Sequence, residues 1–176
     1  MAIAPTFEKY LATKHVAYDV VAHEPTKSSM RSAEACRVSG DRVAKAVVLR
    51  DEYGYVLAIL PASHHIRLDD LRMQLGLDVE LADEYEIEEL FDDCVRGAIP
   101  PAGECYGLDT VVDESIEDQP EVYLEGGDHT TLVHMSHAQF DGTARQLQRP
   151  RLRTSGRHRL RAPSWPTRGL SAWANL

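Results

Sequence analysis

The chain has 176 residues, 43% of them hydrophobic and 27% charged, with a formal net charge of −9 at pH 7. That is enough for one domain with a real core and short for two. No apolar run approaches membrane-spanning length, and the start Met1-Ala2-Ile3-Ala4-Pro5 lacks a basic-then-apolar leader; Cys36, Cys94 and Cys105 form no C-x-x-C pair, which together point to a reduced, cytoplasmic setting.

Pro5 followed by Phe7, Tyr10 and Leu11 predicts an amphipathic helix ending near Lys14. Residues 16–21 read as a strand, which His23-Glu24-Pro25-Thr26 breaks. A short helix is expected over 32–38, closed by Gly40. The run 43–50, Val-Ala-Lys-Ala-Val-Val-Leu-Arg, is short, β-branched and apolar on both faces, which predicts a buried strand with Lys45 inside it. A hairpin across Asp51-Glu52-Tyr53-Gly54 pairs it with 55–60. Leu68, Leu71 and Leu75, with Gly76 as a stop, predict a helix over Leu68–Leu75, and 78–81 is a short strand.

Asp83 with Glu86 has capping-box spacing, with Ile87, Leu90 and Phe91 as the buried stripe of the helix it opens. Further strands fall at 111–112, 121–124 and 130–135, the last two joined by a Gly-Gly turn, and Ser136 with Gln139 opens a final short helix. Helices alternating with short, partly hairpin-linked strands argue for an α+β domain with a mixed central sheet. The pattern stops near Gly142, giving a domain over 1–142 and a tail over 143–176. The tail has eight arginines, no lysine and no acid. It reads either as a basic arm that folds onto RNA or as irregular, non-selected sequence; the lack of lysine and carboxylate favours the second.

Lys45 shares its strand face with Val43, Val47 and Leu49. Its stem suits that company, but a buried ammonium needs an anion or a carbonyl. Further along, Gly97-Ala98-Ile99-Pro100-Pro101 forms a loop with few backbone states, and Gly97 admits a ligand close to main-chain N–H groups. A fixed cation and a stiff loop predict a site for a polar, partly anionic ligand. The plainer alternative is a lysine paired with one of the chain's many carboxylates.

These two segments and the stretch 126–136, Gly-Gly-Asp-His-Thr-Thr-Leu-Val-His-Met-Ser, resemble the YbaK/prolyl-tRNA-synthetase-associated domain family, the aminoacyl-tRNA editing domains. The similarity runs over about 7–142. It implies a barrel-like sheet with helices packed outside, and hydrolysis in trans of a mis-attached amino acid from tRNA. In the family the lysine matching Lys45 is needed for activity, and the glycine matching Gly97 lies in the loop that cradles the ester. An aspartate that some members carry a few residues after the His129 position is absent, since the chain reads Leu132-Val133-His134 there.

Ester hydrolysis needs positioned water, a stabilised carbonyl oxygen and a departing ribose oxygen. Gly97, Ala98 and Ile99 carry N–H donors for that carbonyl, whereas Pro100 and Pro101 carry none and only stiffen the loop. His129 is the candidate proton-transfer group, or the holder of the ribose 2′-hydroxyl; alternatively the substrate's own 2′-hydroxyl relays the proton and His129 belongs to a turn. His23, Pro25, Thr26, Ser28, Ser29 and Met30 are expected to form a mobile rim opposite the Gly97 loop, with small polar groups suited to alanine, serine or threonine. No spacing among His64, His65, His129, His134 and His137 suits zinc, and no nucleotide-binding or nucleophile-elbow motif is present, so no metal and no cofactor is expected.

Charge is distributed unevenly. Residues 1–50 carry 8 basic against 5 acidic side chains, 51–142 carry 3 against 23, and 143–176 carry 8 against none. The acceptor end of an aminoacylated tRNA should avoid the middle segment and meet Lys27, Arg31, Arg37, Arg42, Lys45 and Arg50, unless these only solvate helix faces. A synthetase is a second candidate partner; membrane and DNA are not expected. A non-catalytic module of the same fold, binding an aminoacyl or nucleotide ligand or docking on a synthetase, stands as the alternative function.

Overall fold

A computed structural model describes residues 3–144; the arginine-rich tail expected over 143–176 lies outside them from residue 145 on. Chain order is α1 (Pro5–Thr13), β1 (Asp19–Ala22), α2 (Ser29–Cys36), β2 (Val43–Asp51), β3 (Gly54–Pro61), α3 (Leu68–Leu75), β4 (Glu80–Leu81), α4 (Glu84–Leu90), β5 (Asp109–Val112), α5 (Glu114–Glu117), β6 (Glu121–Glu125), β7 (Thr131–Ser136) and α6 (His137–Ala144), with a 3-10 turn at Gly103–Tyr106 before β5. The strands form one mixed sheet in the order β1-β7-β6-β2-β3-β5, with β4 also pairing β2. The α+β class with helices flanking a mixed sheet is as expected. The sheet is open, however: β1 and β5 are its two ends, so the barrel-like picture does not extend to closure.

Side-chain alternation sends one set of strand residues to each face. Ala44, Val48, Leu57, Ile59, Leu124 and Val133 meet Phe7 and Leu11 of α1 and Phe140 of α6 in the main core. On the other face Val43 and Leu132 pack against Ala33 of α2, and Leu49, Val56 and Ala58 pack against Leu71 and Leu75 of α3. Each fully buried Leu, Ile or Phe contributes about 1.5–3 kcal/mol by leaving water. Among the described residues no helix is long and apolar enough to cross a membrane.

Several elements follow from local chemistry. α3 ends where Gly76 takes φ 65°, the left-handed conformation that favours glycine. α4 starts on the Asp83–Glu86 capping box, with both reciprocal bonds present. Two boundaries shift. α2 begins on Ser28, whose side chain accepts from Arg31 N, and stops at left-handed Arg37 (φ 57°), so Gly40 is not its terminator. β1 starts at Asp19 because Val16 and Tyr18 pack against the main core before the chain reaches β7.

Candidate functional site

Lys45 sits where two parallel strands part. β3 covers one edge of β2 from Ala44 to Asp51. The other edge is divided: β6 pairs at Val43 and Ala44, and β4 pairs at Leu49 and Arg50. Between them β2 has an unpaired stretch over 45–47. The last β2–β6 partners are Ala44 and Leu124, so the next residues, Lys45 and Glu125, are neighbours with side chains on the same face. β6 then turns away through 126–130.

The loop after α4 enters this fork. Val95 N–H donates to Gly127 O at 2.8 Å, and the His129 ring nitrogen Nε2 lies 2.7 Å from Arg96 O. A carbonyl only accepts, so Nε2 carries a proton, and in the neutral ring Nδ1 keeps the lone pair. The ring lies over Gly97: a Cβ there would be 3.7 Å from its Cε1 and Nε2. Gly97 has φ 82° and is exposed, while Ala98, Ile99, Pro100 and Pro101 are buried. Ile99 belongs to the main core and so anchors the loop on the opposite sheet face. One expectation needs correction here. The Ala98 N–H is engaged by Val95 O at 2.8 Å, which leaves Gly97 and Ile99 as the loop's candidate donors.

Lys45 is half-buried, and its Nζ donates to His64 O and, at 3.3 Å, to Ala62 O. Both partners are carbonyls; the ion pair of the plainer alternative is not formed with any described carboxylate. Burial pulls the lysine pKa below its ordinary value. Two bonds leave one of the three ammonium N–H groups for a ligand.

Glu125 is the participant that sequence reading missed. It is only 5% exposed, and its Oε1 accepts from His129 N at 3.2 Å, fixing His129 at φ 62°. Burial raises its pKa, opposed by electrostatic interaction with His129, by the hydrogen bond from its N–H, and by the nearby His23. The available signal was the alternation Glu121, Tyr123, Glu125, which puts the last carboxylate on the Lys45 face. The folded protein holds this proton more tightly than the unfolded chain, so stability falls as pH rises above about 4.3, the ordinary glutamate value, towards the raised one. Glu125→Gln keeps an acceptor for His129 N and removes the charge. It is expected to be more stable than the unsubstituted protein at pH 7–8, with the difference closing below about pH 4, as urea midpoints across that range would record.

The expected rim is anchored to the same turn. His23 N–H donates to Thr130 O at 2.8 Å and Thr26 N–H to His129 O at 3.1 Å, while the Thr26 and Ser32 hydroxyls bond at 2.6 Å. Ser29 opens α2, and Met30 is 39% exposed. Asp128 holds the turn itself, accepting from Thr130 N, Thr130 Oγ1 and Thr131 Oγ1. His134 is elsewhere, stacked on Tyr123 and bonded to Glu121 at 3.1 Å. Cys94 and Cys105 have thiols pushed up to about 12 by burial, which suits packing and not nucleophilic work. Of the six cations expected to meet tRNA, Arg42 pairs with Glu121 and Arg50 with Glu80 and Glu86; Lys27, Arg31 and Arg37 stay exposed around α2.

The sequence matches the family described as aminoacyl-tRNA editing domain over residues 23–142. No curated protein sequence matches the chain. Among solved structures, a proposed trans-editing enzyme for prolyl-tRNA synthetase superposes with a TM-score of 0.72 at 21% identity, covering 86% of this chain and 95% of that one. The hypothetical protein APE2540 gives 0.72 at 19% identity, with coverage of 85% and 98%. A protein from Marinobacter aquaeolei VT8, named for signal transduction, gives 0.65 at 18% identity and covers 85% of this chain but 30% of its own length. At these identities the likeness speaks for the fold.

Proposed function

Because the chain belongs to the aminoacyl-tRNA editing domain family, we propose that it is a trans-acting deacylase that hydrolyses the ester of mischarged tRNA in the cytoplasm. The observation that carries this reading is the Lys45 ammonium, half-buried, met only by carbonyls among the described residues, and borne by the strand residue next to the fork that the Gly97 loop enters. A desolvated cation with one unused N–H is a receptor for an anion or a polarised oxygen.

In the proposed reaction the terminal adenosine lies in the fork, with its phosphate or ester oxygen on Lys45. The N–H groups of Gly97 and Ile99 receive the carbonyl oxygen as it becomes negative. His129 Nδ1, the basic nitrogen left by the bond to Arg96 O, takes the proton from water, or the ribose 2′-hydroxyl relays it. Thr26, Ser29 and Met30 at the rim suit a small amino acid and exclude larger ones by size.

The test is a panel of mischarged tRNAs incubated with the purified protein. Turnover of tRNA carrying a small amino acid is the expected result. Tight binding without turnover of any member would favour the binding module instead.

Lys27, Arg31 and Arg37 are the exposed cations placed to meet the tRNA backbone. Replacing all three by alanine is expected to weaken tRNA binding and lower the slope of log affinity against log salt by roughly 2 to 3, with little change in the rate at saturating enzyme. Filter binding over a salt series measures the slope.

A further inference from the structure

A buried ring nitrogen and a carboxylate oxygen next to the strand fork have no donor between them. His23 Nδ1 lies 2.8 Å from Glu24 O, and because that carbonyl only accepts, Nδ1 carries a proton and Nε2 of the neutral ring carries the lone pair. Nε2 is buried without a partner. Glu125, 5% exposed, has Oε1 engaged by His129 N at 3.2 Å, while Oε2 has no partner among the described residues. The backbone brings the two side chains together: His23 N–H donates to Thr130 O in the turn that follows Glu125, and the His23 ring lies within electrostatic reach of the Glu125 carboxylate. Cys36 of α2 is close enough to feel the same carboxylate.

The neighbouring cation does not neutralise this pair, since Lys45 directs its ammonium to the carbonyls of Ala62 and His64. Two acceptors cannot satisfy one another, whereas a compact cation with several N–H donors satisfies both. A carboxylate disfavoured by burial and by the Asp128 charge also favours a cation over a neutral donor.

We propose that Glu125 Oε2 and His23 Nε2 hold the α-ammonium of the esterified amino acid, so the site selects a free α-amino group over an acylated one. The inference rests on the deacylase reading for the identity of the ligand and adds the residues that orient it. With the amine fixed beside Glu125, the ester carbonyl is directed towards Gly97, because His129 joins the two: its backbone N–H donates to Glu125 and its ring lies over Gly97.

The probes are 3′-alanylamino-3′-deoxyadenosine, which is not hydrolysed as an ester, and its analogue with propionyl in place of alanyl, which lacks the amine. Calorimetric titration is expected to show the amine form binding about tenfold or more tightly, the worth of a buried charged hydrogen bond. Glu125→Gln still accepts from His129 N and should bring that preference below about threefold. Equal affinity of the unsubstituted protein for both probes, binding of neither, or a preference that survives Glu125→Gln overturns the proposal. Turnover separates the two readings. Equal rates on aminoacyl- and N-acetylaminoacyl-tRNA would remove this inference and keep the deacylase, whereas amine-selective binding without any turnover would do the reverse.

Discussion

Lys45→Ala is expected to lower single-turnover deacylation by about 100- to 1000-fold, the usual consequence of losing one electrostatic contact in a water-poor site. The effect should belong to the charge. Lys45→Met keeps an apolar stem against Val43 and Val47 and should lose as much activity, although both variants stay folded. The fold is expected to tolerate the change: the bonds to Ala62 O and His64 O are lost, but Lys45 makes no ion pair with any described carboxylate and its ammonium is held at a desolvation cost. Rates at saturating enzyme, beside urea midpoints, separate chemistry from stability. If Lys45→Met retains a rate within about threefold of the unsubstituted protein, the ammonium is not part of the chemistry.

Gly97→Ala should cost about 10- to 100-fold in kcat/KM through the backbone alone. A methyl group there has room, since its nearest neighbours are His129 ring atoms at 3.7 Å. The difficulty is φ 82°, where an L-residue is strained by about 1–2 kcal/mol. Relieving that strain rotates the Gly97 and Ile99 N–H groups and shifts Arg96 O, which holds the His129 ring. The stability loss should stay near the strain itself, because Ile99 keeps the far side of the loop in the core. A variant with unchanged kinetics would mean that this loop does not receive the ester.

The sequence signals that proved sound were those with a local cause. Leu68–Leu75 could be read to the residue because an apolar period and a left-handed glycine act within one helix. The Asp83–Glu86 box is local in the same way. α2 was misplaced because it buries only Ser32 and Ala33, too little to give a period, and because Arg37 takes the left-handed stop that glycine usually takes. The strand expected over 16–21 starts later because Val16 and Tyr18 are partly buried against the core without strand partners, and alternation cannot distinguish the two.

The candidate site divides along the same line. Lys45 was visible because a charge interrupts an apolar strand, and Gly97 because two prolines follow a glycine at short range. Glu125 was not visible, since a glutamate at a strand end reads as a solvated charge. Its burial comes from the parallel pairing of β2 with β6, segments far apart in the chain. The loss of the Ala98 N–H to Val95 O is equally a matter of folded geometry. The open edges of β1 and β5 follow from pairing that no local pattern reports.

The account depends most on Lys45 being a desolvated ammonium that a substrate anion completes. Nitrogen-detected NMR titration of its Nζ, with and without 5′-phosphorylated 3′-alanylamino-3′-deoxyadenosine, tests that directly. The account predicts titration below the ordinary lysine value in the free protein and a rise towards or above that value when the phosphorylated ligand is bound. A lysine that titrates normally when free, or whose titration the ligand leaves unmoved, would contradict it.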